Sequence, residues 1–290
     1  MKIIKYAYEL QYSLQYLRKK YTIGFVPTMG YLHEGHLSLI EQAKKDNDIV
    51  VVSIFVNPLQ FGENEDFDQY PRDEARDIEL AKNTGADFLF MPDAKEMYPD
   101  DQQITMHVGN RAEVLCGKSR PNHFDGVVTV VSKLFHIVTP HQAYFGLKDA
   151  QQFAIIEALV RDLNFPVGLI GLPTIREQDG LAKSSRNVYL TAEERKEAVW
   201  ISRALQQAQE AFKSGVLNTD AIKAKMRQII ENETNGMIDY IEILSYPKLR
   251  AMEQLNGQII IAVAVFFDKT RLIDNIILDQ HGNAVTMITV

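Results

Sequence analysis

The sequence predicts an α/β protein with a doubly wound parallel sheet, followed by a smaller α+β domain. Apolar, β-branched runs alternate with amphipathic stretches through residues 1–187, which is typical of parallel strands joined by helices. From residue 188 the order changes, because two long helical stretches come first and three strand-like runs follow. We therefore expect two domains, at residues 1–187 and 188–290, each long enough to bury its own core.

The elements of the first domain follow one another in alternation. Continuous apolar runs suit strands covered on both faces, and apolar residues at helical spacing indicate amphipathic helices. The predicted strands cover residues 23–26, 49–56, 86–91, 143–145 and 167–172, with a short edge strand at 104–108. The predicted helices cover residues 6–20, 72–84, 127–138 and 150–163, with one more beginning at 34–36.

The second domain begins with a helix that Thr191 is expected to cap, because Glu194 stands at capping-box spacing. This helix is predicted to run to residue 212. A second helix covers residues 219–233, and three strands follow at 238–244, 258–267 and 272–278. After residue 278 the sequence carries no structural signal.

Composition excludes several classes of function. The chain of 290 residues is 46% hydrophobic and 24% charged, as globular proteins are, and its longest apolar run is too short to span a bilayer. A net charge of −7 argues against a general nucleic-acid binder, which needs a basic face. The single cysteine, Cys116, cannot form an internal disulfide, and no signal peptide pattern is present. We expect a cytoplasmic protein with small-molecule partners.

A polar turn at residues 27–36 joins the first predicted strand to the next helix. Gly30 and Gly35 let backbone amides approach a ligand closely, and unpaired amides at a helix N-terminus favour phosphate. His33 and His36 stand three residues apart, so both imidazoles can face one bound anion. Such a pair also fits a partial metal site, but a zinc protease would show a different spacing.

Polar and cationic residues follow three other predicted strands. Asn57 and Gln60 come after the 49–56 strand, and should lie beside the first turn if the two strands are neighbours. Lys148 stands in a turn after the 143–145 strand, and a polar loop carries the run from Lys183 to Arg186. Each alone is typical of a solvated turn, but in an acidic chain their order suggests an anionic ligand.

These segments resemble the pantothenate synthetase family, the pantoate-beta-alanine ligases of the His-x-Gly-His nucleotidyltransferase superfamily. The similarity extends over almost the whole chain, in blocks that keep the family's order. The blocks are PTMGYLHEGHL at 27–37, FVNPLQF at 55–61, RPNHFDGVVTVV at 120–131, FGLKDAQQ at 145–152 and DGLAKSSRN at 179–187.

The resemblance implies a Rossmann-like catalytic domain at 1–187 and a C-terminal domain at 188–290 that acts as a lid over ATP. It implies an enzyme that uses Mg-ATP to activate pantoate as pantoyl adenylate and releases pyrophosphate. The amine of beta-alanine then displaces AMP to give pantothenate. A homodimer formed through the first domain is implied as well.

The resemblance also assigns residues to these steps. His36 is the implied proton donor, with His33 and Lys148 as further catalytic groups. Pantoate is assigned to Gln60, Gln152 and Asn57, and beta-alanine to Gln60. The implied ATP contacts are Met29, Gly30, Tyr31, Leu32, His33, Glu34, Gly35, His36, Gly146, Leu147, Lys148, Asp149, Ile175, Lys183, Ser184, Ser185 and Arg186.

Two positions depart from the family pattern. Arg76 stands where the family commonly has the first residue of an acidic pair, so only Asp77 remains as a candidate to hold Mg²⁺ or its waters. Leu147 replaces the glutamate of the Gly-Glu-Lys-Asp motif.

Two other functions stay open on the sequence alone. Another His-x-Gly-His nucleotidyltransferase would transfer a nucleotide to a phosphorylated acceptor, but that reaction does not account for Gln60 and Gln152. A nucleotide sensor without catalysis would need no amine acceptor.

Overall fold

The structure is a computed structural model, and it describes residues 1–62, 65, 67–252 and 255–290. These residues form two compact units. The first unit consists of Met1–Gly146, Ile155–Leu172 and Met287–Val290, and the second of Leu147–Ala154 and Pro173–Thr286.

Strands and helices alternate through the first half of the chain, as predicted. The strands are β1 (Lys2–Ile4), β2 (Ile23–Thr28), β3 (Ile49–Ile54), β4 (Phe88–Phe90), β5 (Gln142–Gly146), β6 (Gly168–Leu172), β7 (Met237–Ser245), β8 (Ile259–Phe267), β9 (Thr270–Leu278) and β10 (Ile288–Thr289). The helices are α1 (Ala7–Leu17), α2 (Glu34–Asp46), α3 (Glu74–Thr84), α4 (Ala94–Met97), α5 (Leu115–Ser119), α6 (His123–Val138), α7 (Ala150–Asp162), α8 (Ala192–Glu197), α9 (Val199–Lys213) and α10 (Thr219–Glu233). Short 3-10 turns lie at Pro58–Gln60, Asn110–Ala112, Leu147–Asp149 and Ser185–Tyr189.

A seven-stranded sheet with the order β1-β4-β3-β2-β5-β6-β10 organises the first unit. All of its strand pairs are parallel except that of β10 with β6. The strand order reverses between β2 and β5, and α/β sheets bind ligands at the carboxyl ends of the strands at such a switch point. The predicted doubly wound parallel sheet is therefore confirmed.

The strand β3 shows why the sequence predicted this sheet. Its first five residues are buried, and Val50, Val51 and Val52 have no exposed surface. Parallel strands covered on both faces need such uninterrupted apolar runs. Its register with β2 pairs Thr28 with Ile54, so the polar segments after both strands begin at the same edge of the sheet.

The second unit contains the antiparallel sheet β7-β8-β9, and α9 and α10 pack with it around one apolar cluster. The predicted α+β domain is confirmed, and so is the capping box: the Thr191 amide donates to Glu194 Oε2 at 2.8 Å, and the Glu194 amide donates to Thr191 Oγ1 at 3.2 Å. The predicted single helix at 191–212 is instead two helices, α8 and α9, which meet at Ala198.

The two units divide the chain differently from the predicted boundary at residue 187. Residues 147–154 and 173–187 belong to the second unit, and side chains of β9 bond to both segments. Arg176 is paired with Asp274, and Asn275 donates hydrogen bonds to the carbonyl groups of Leu147 and Lys148.

Several shorter elements differ from the prediction, among them the strand β1, which the sequence did not indicate. The prediction of an edge strand at 104–108 is wrong, because these residues form no strand. The amide of Val108 donates to Asp125 of α6 at 2.9 Å and not to a carbonyl of a neighbouring strand. The strand β10, which the sequence did not indicate, pairs with β6 near the end of the chain. Within the described ranges, no helix is both long and apolar enough to cross a bilayer.

Candidate active site

The turn after β2 is held by a buried carboxylate on α3. Asp77 is 2% exposed, and its two oxygens accept the amides of Tyr31 and Leu32, each at 2.7 Å. Gly30 has φ +84°, and a Cβ there would lie 3.0 Å from Asp77 Oδ2. Glycine is thus required both for the left-handed backbone and for the close carboxylate. Burial raises the pKa of Asp77, although both amide bonds and Arg76 act in the opposite direction.

The two histidines cap α2 with their side chains. Nδ1 of His33 accepts the amide of Gly35 at 3.1 Å, and Nδ1 of His36 accepts the amide of His33 at 3.3 Å. Their ring centroids are 4.1 Å apart. A neutral imidazole that accepts at Nδ1 carries its proton on Nε2. Both rings therefore have Nε2–H as their donor group, which suits hydrogen bonding to phosphate oxygens.

Gly35 makes room for this arrangement. Its φ is not positive, so glycine is not required for the backbone. A Cβ at this position would lie 2.8 Å from Cε1 of His33 and 3.0 Å from Nδ1, which is too close for the ring to stay where it is. The glycine between the two histidines is therefore explained by the position of the first imidazole.

The expectation that unpaired amides of this turn would bind phosphate needs correction. The amides of Tyr31, Leu32, His33 and Gly35 all donate to side chains of the protein, either the Asp77 carboxylate or the two imidazoles. These backbone groups are satisfied without a ligand. The imidazoles therefore replace those amides as candidate phosphate donors.

Gln60 lies beside this turn. This position was predicted for the case that β2 and β3 are neighbours, and the two strands do pair. Its Nε2 is 3.0 Å from Sδ of Met29, and the side chain is 8% exposed. Asn57, which is 1% exposed, donates to Oε1 of Gln60 at 3.2 Å and to the carbonyl of Gly126 at 3.1 Å. The structure thus brings Met29, Asn57 and Gln60 together with the turn that carries the histidines.

Asn57 holds Gln60 in place through its remaining contacts. Its Oδ1 accepts the hydroxyl of Tyr98 at 2.9 Å and the amide of Leu59 at 3.3 Å, which caps the turn that ends at Gln60. Burial raises the pKa of the Tyr98 hydroxyl, so this group stays protonated and donates. Asn57 therefore positions Gln60, and its own contact with pantoate stays a prediction.

The sequence-based assignment did not include three residues that fix the main chain of Gln60. His123 donates from Nδ1 to the Gln60 carbonyl at 2.8 Å, and Arg120 donates to the same oxygen at 3.4 Å. Arg120 also lies 3.1 Å from Nε2 of His123 and forms a two-pronged pair with Glu65. The signal was present, because Arg120 and His123 stand in the block at 120–131.

In the second unit, the predicted cations lie on two short segments. Lys148 is half-buried in the turn Leu147–Asp149, between buried Leu147 and exposed Asp149. Lys183 donates its amide to Ile175 at 2.9 Å, and its Nζ is 3.0 Å from Glu177. Ser184 caps the turn that contains Ser185 and Arg186 by accepting the amide of Arg186 at 3.3 Å. Gln152 is half-buried on α7.

Protein ligands for a metal ion are few. Among the described residues, no group of three or more His, Cys, Asp or Glu side chains is placed to hold an ion. Asp77 uses both carboxylate oxygens to hold the 30–32 turn. The donor set fits no metal ion bound mainly by the protein.

Comparison with known proteins gives a consistent set of relatives. The family model described as "Pantoate-beta-alanine ligase" matches residues 2–277. A pantothenate synthetase from Geobacillus sp. (strain WCH70) is 57% identical over 265 residues, covering 91% of this chain and 94% of the relative. The pantothenate synthetase of Bacillus subtilis (strain 168) is 56% identical over 265 residues, covering 91% and 92%.

Solved structures agree with these relatives. A pantothenate synthetase from Thermus thermophilus superposes with a TM-score of 0.90 at 42% identity, covering 95% of this chain and 98% of that one. A pantoate-beta-alanine ligase from Francisella tularensis, complexed with beta-gamma ATP and beta-alanine, has a TM-score of 0.79 at 37% identity, covering 95% and 97%.

Proposed function

The chain belongs to the pantoate-beta-alanine ligase family, and on that premise we propose how its residues carry out the ligation. The enzyme condenses pantoate with beta-alanine to give pantothenate, and ATP is converted to AMP and pyrophosphate. In the first step the pantoate carboxylate attacks the α-phosphorus of ATP and pyrophosphate leaves, which gives pantoyl adenylate. In the second, the beta-alanine amine attacks the activated carbonyl and AMP leaves.

The first step needs no covalent nucleophile from the protein. Alignment of the two substrates can supply roughly 7 to 11 kcal/mol of the barrier, and donors aimed at the phosphates stabilise the growing charge. The observation that carries the proposal is the reciprocal cap of His33 and His36, which fixes Nε2–H as the donor of each ring. We assign His36 as the proton donor and His33 as its companion.

Three cationic side chains complete the ATP site in this proposal. Lys148, Lys183 and Arg186 bind the β- and γ-phosphates, because an acidic protein must concentrate its cations where the triphosphate lies. Ser184 and Ser185 add hydroxyl donors. The other proposed ATP contacts are Met29, Gly30, Tyr31, Leu32, Glu34, Gly35, Gly146, Leu147, Asp149 and Ile175.

Neutral amides hold pantoate. We assign Gln60 and Gln152 to this substrate, with Asn57 behind Gln60, and Gln60 also to beta-alanine. A carboxylate that is about to act as a nucleophile would be weakened by a tight arginine pair, whereas amides orient it without neutralising its charge. The buried position of Gln60 beside Met29 supports this assignment.

Mg²⁺ enters the proposal as the ion that accompanies the triphosphate of ATP. Because Asp77 is engaged with two amides, we assign it to the turn and retain only a water-mediated contact with the ion. No step of the mechanism depends on that contact.

Assembly and location are proposed on the family resemblance. We propose a cytoplasmic homodimer that forms through the first unit, and a C-terminal domain that closes when ATP binds. Light scattering of the purified protein measures the dimer directly. A mass equal to one chain contradicts it.

The decisive experiment measures AMP release from ATP and pantoate with and without beta-alanine. The ligase releases AMP only when all three substrates are present, and exchanges labelled pyrophosphate into ATP when pantoate alone is added. A transferase acting on a phosphorylated acceptor gives neither result. A nucleotide sensor binds ATP without either reaction.

A further inference from the structure

Two neighbouring residues of β9 bond to both segments that carry the predicted phosphate cations. Asn275, which is 8% exposed, donates from Nδ2 to the carbonyl of Leu147 at 3.0 Å and to that of Lys148 at 2.7 Å. Asp274, which is 3% exposed, accepts from the guanidinium of Arg176 at 2.6 and 3.0 Å. All five residues belong to the second unit.

The strand geometry lets one short stretch serve both segments. Successive side chains of a strand point to opposite faces of the sheet. Asp274 is an even number of residues from Leu272 and Leu278, so its side chain points to the same face of the sheet, where these leucines belong to the apolar cluster. The side chain of Asn275 therefore lies on the other face. The Asp274 carboxylate also accepts the main-chain amide of Asn275 at 2.8 Å, which ties this carboxylate to the backbone of its neighbour.

Arg176 links Asp274 to the backbone of Lys183, because it is paired with Asp274 and belongs to a small hairpin that contains Lys183. Arg176 forms a bridge with Ala182, and its guanidinium donates to the Gly180 carbonyl at 3.1 Å. The amide of Lys183 then donates to the carbonyl of Ile175 at 2.9 Å. The backbone that carries Lys183 is thus fixed through the ion pair at the base of the hairpin.

These bonds are energetically important because Asp274, Asn275 and Leu147 are buried. A buried carbonyl that loses its donor, or a buried carboxylate that loses its guanidinium, is left with an uncompensated desolvation cost. Asn275 satisfies two successive carbonyls, so it constrains the peptide of Lys148 at two points. Tyr246 adds a third bond, to the Ala150 carbonyl at 3.3 Å.

We propose that Asp274 and Asn275 are positioning residues for ATP: they set the backbone of Lys148 and of the Lys183 hairpin so that both cations reach the triphosphate. The inference rests on the proposed function of these lysines. It gives the C-terminal sheet a part in building the phosphate subsite.

The test uses two conservative variants and a matched control. Asn275→Asp removes the Nδ2 donor that serves two carbonyls, and Asp274→Asn removes the charge opposite Arg176. The control is Asp239→Asn, because Asp239 pairs with Arg271 of the same sheet at 2.7 Å and stands on β7, far along the chain from either lysine segment. Thermal unfolding, titration calorimetry with ATP and steady-state kinetics are measured for all three full-length proteins.

We expect both β9 variants to weaken ATP binding and to raise the KM for ATP by about tenfold, the effect of one misplaced charged hydrogen bond. The KM for pantoate stays unchanged. The control loses thermal stability while its ATP affinity matches wild type. A purely structural role of Asp274 and Asn275 would instead lower the Tm and leave the KM for ATP unchanged, and that result overturns the inference.

Calorimetry separates this inference from the proposed function. If wild type releases AMP only with beta-alanine and Asn275→Asp binds ATP as wild type does, the positioning role fails and the ligase function stands. If wild type releases no AMP with all substrates, the function fails, whereas the ATP titrations still decide whether β9 positions a nucleotide site. An Asn275→Ala variant serves the same comparison if the aspartate does not fold.

Discussion

Nδ1 of His36 accepts the main-chain amide of His33 at 3.3 Å, while the ring of His33 accepts the amide of Gly35. Each imidazole is therefore part of the helix cap and also a candidate donor to phosphate. The two roles use different nitrogens of the same ring. Substitutions that preserve one nitrogen and remove the other can separate structure from catalysis.

The substitution His36→Asn makes this separation. Asparagine keeps an acceptor near the position of Nδ1 but has no group at Nε2. We expect the Tm to stay close to wild type, because the amide of His33 keeps a partner. Adenylate formation should fall by roughly a hundredfold to ten-thousandfold, the usual contribution of a positioned proton donor. Rapid-quench measurement of pyrophosphate release from ATP and pantoate, without beta-alanine, gives this rate.

Ser38→Ala is the matched control in the same helical turn. Its hydroxyl donates to the Gly35 carbonyl at 2.8 Å, so its loss affects the local helix without touching either imidazole. We expect a small decrease in Tm and a wild-type rate. Adenylate formation at the wild-type rate by His36→Asn would contradict the donor role of Nε2.

Gly35→Ala tests the space that the first imidazole occupies. Alanine is the better helix former by about 0.5 to 1 kcal/mol, which offsets part of the strain from a Cβ placed 2.8 Å from the His33 ring. We expect little change in Tm but a fall in kcat/KM for ATP by roughly a hundredfold, since a shift of about 1 Å in a catalytic group has that effect.

Gly109→Ala is the comparison for that variant. A Cβ at Gly109 would meet nothing within 4 Å, and its φ is negative, so neither stability nor activity should change. If Gly35→Ala is as active as Gly109→Ala, the glycine is not needed to place His33.

Glu65→Gln should give a pH-dependent loss of stability. Burial alone would raise the pKa of Glu65, but the hydrogen bond and charge of Arg120 outweigh it and lower the pKa below its ordinary value of 4.5. A lowered folded-state pKa stabilises the protein above the unfolded pKa, and this contribution is lost as pH falls through the folded value. We expect wild type to exceed the variant by about 1 kcal/mol at neutral pH, with the difference vanishing in acid, as urea unfolding would measure.

The same variant should raise the KM for pantoate, because Arg120 and His123 hold the Gln60 carbonyl. Asp48→Asn is a suitable control: hydrogen bonds from Thr22 lower the pKa of Asp48, but the pair lies at the opposite end of β2. Its pantoate KM should not change. An unchanged pantoate KM in Glu65→Gln would show that the network does not reach Gln60.

The fold was predictable where burial repeats along the chain. The run of valines in β3 specifies a strand covered on both faces, and the capping box at Thr191 marks a helix start from two residues alone. The strand β10 has two residues, too few for any periodicity, and it forms only because β6 offers an edge far away in sequence. The break at Ala198 likewise has no local signal.

The candidate site was predictable as a set of side chains but not as a set of bonds. Motif residues such as His33 and Lys148 stand out by type and spacing. The residues that hold the turns of these motifs do not stand out in the sequence. Asp77 accepts the amide of Leu32, which is 45 residues away, and Asn275 donates to the carbonyl of Leu147, which is 128 residues away. Contacts of a side chain with a distant main chain leave no pattern in the sequence of either segment.

Gln152→Ala tests whether a neutral amide holds pantoate. We expect the KM for pantoate to rise by about tenfold, because one hydrogen bond to a charged group is lost, while the KM for ATP stays unchanged because the amide has no part in phosphate binding. The control is Gln207→Ala, since Gln207 is also a half-buried glutamine on a helix and bonds only to Glu210 among the described contacts. If both variants keep the wild-type KM for pantoate, another group orients the substrate carboxylate. The argument that neutral amides hold pantoate because an arginine would weaken the carboxylate as a nucleophile then loses its support.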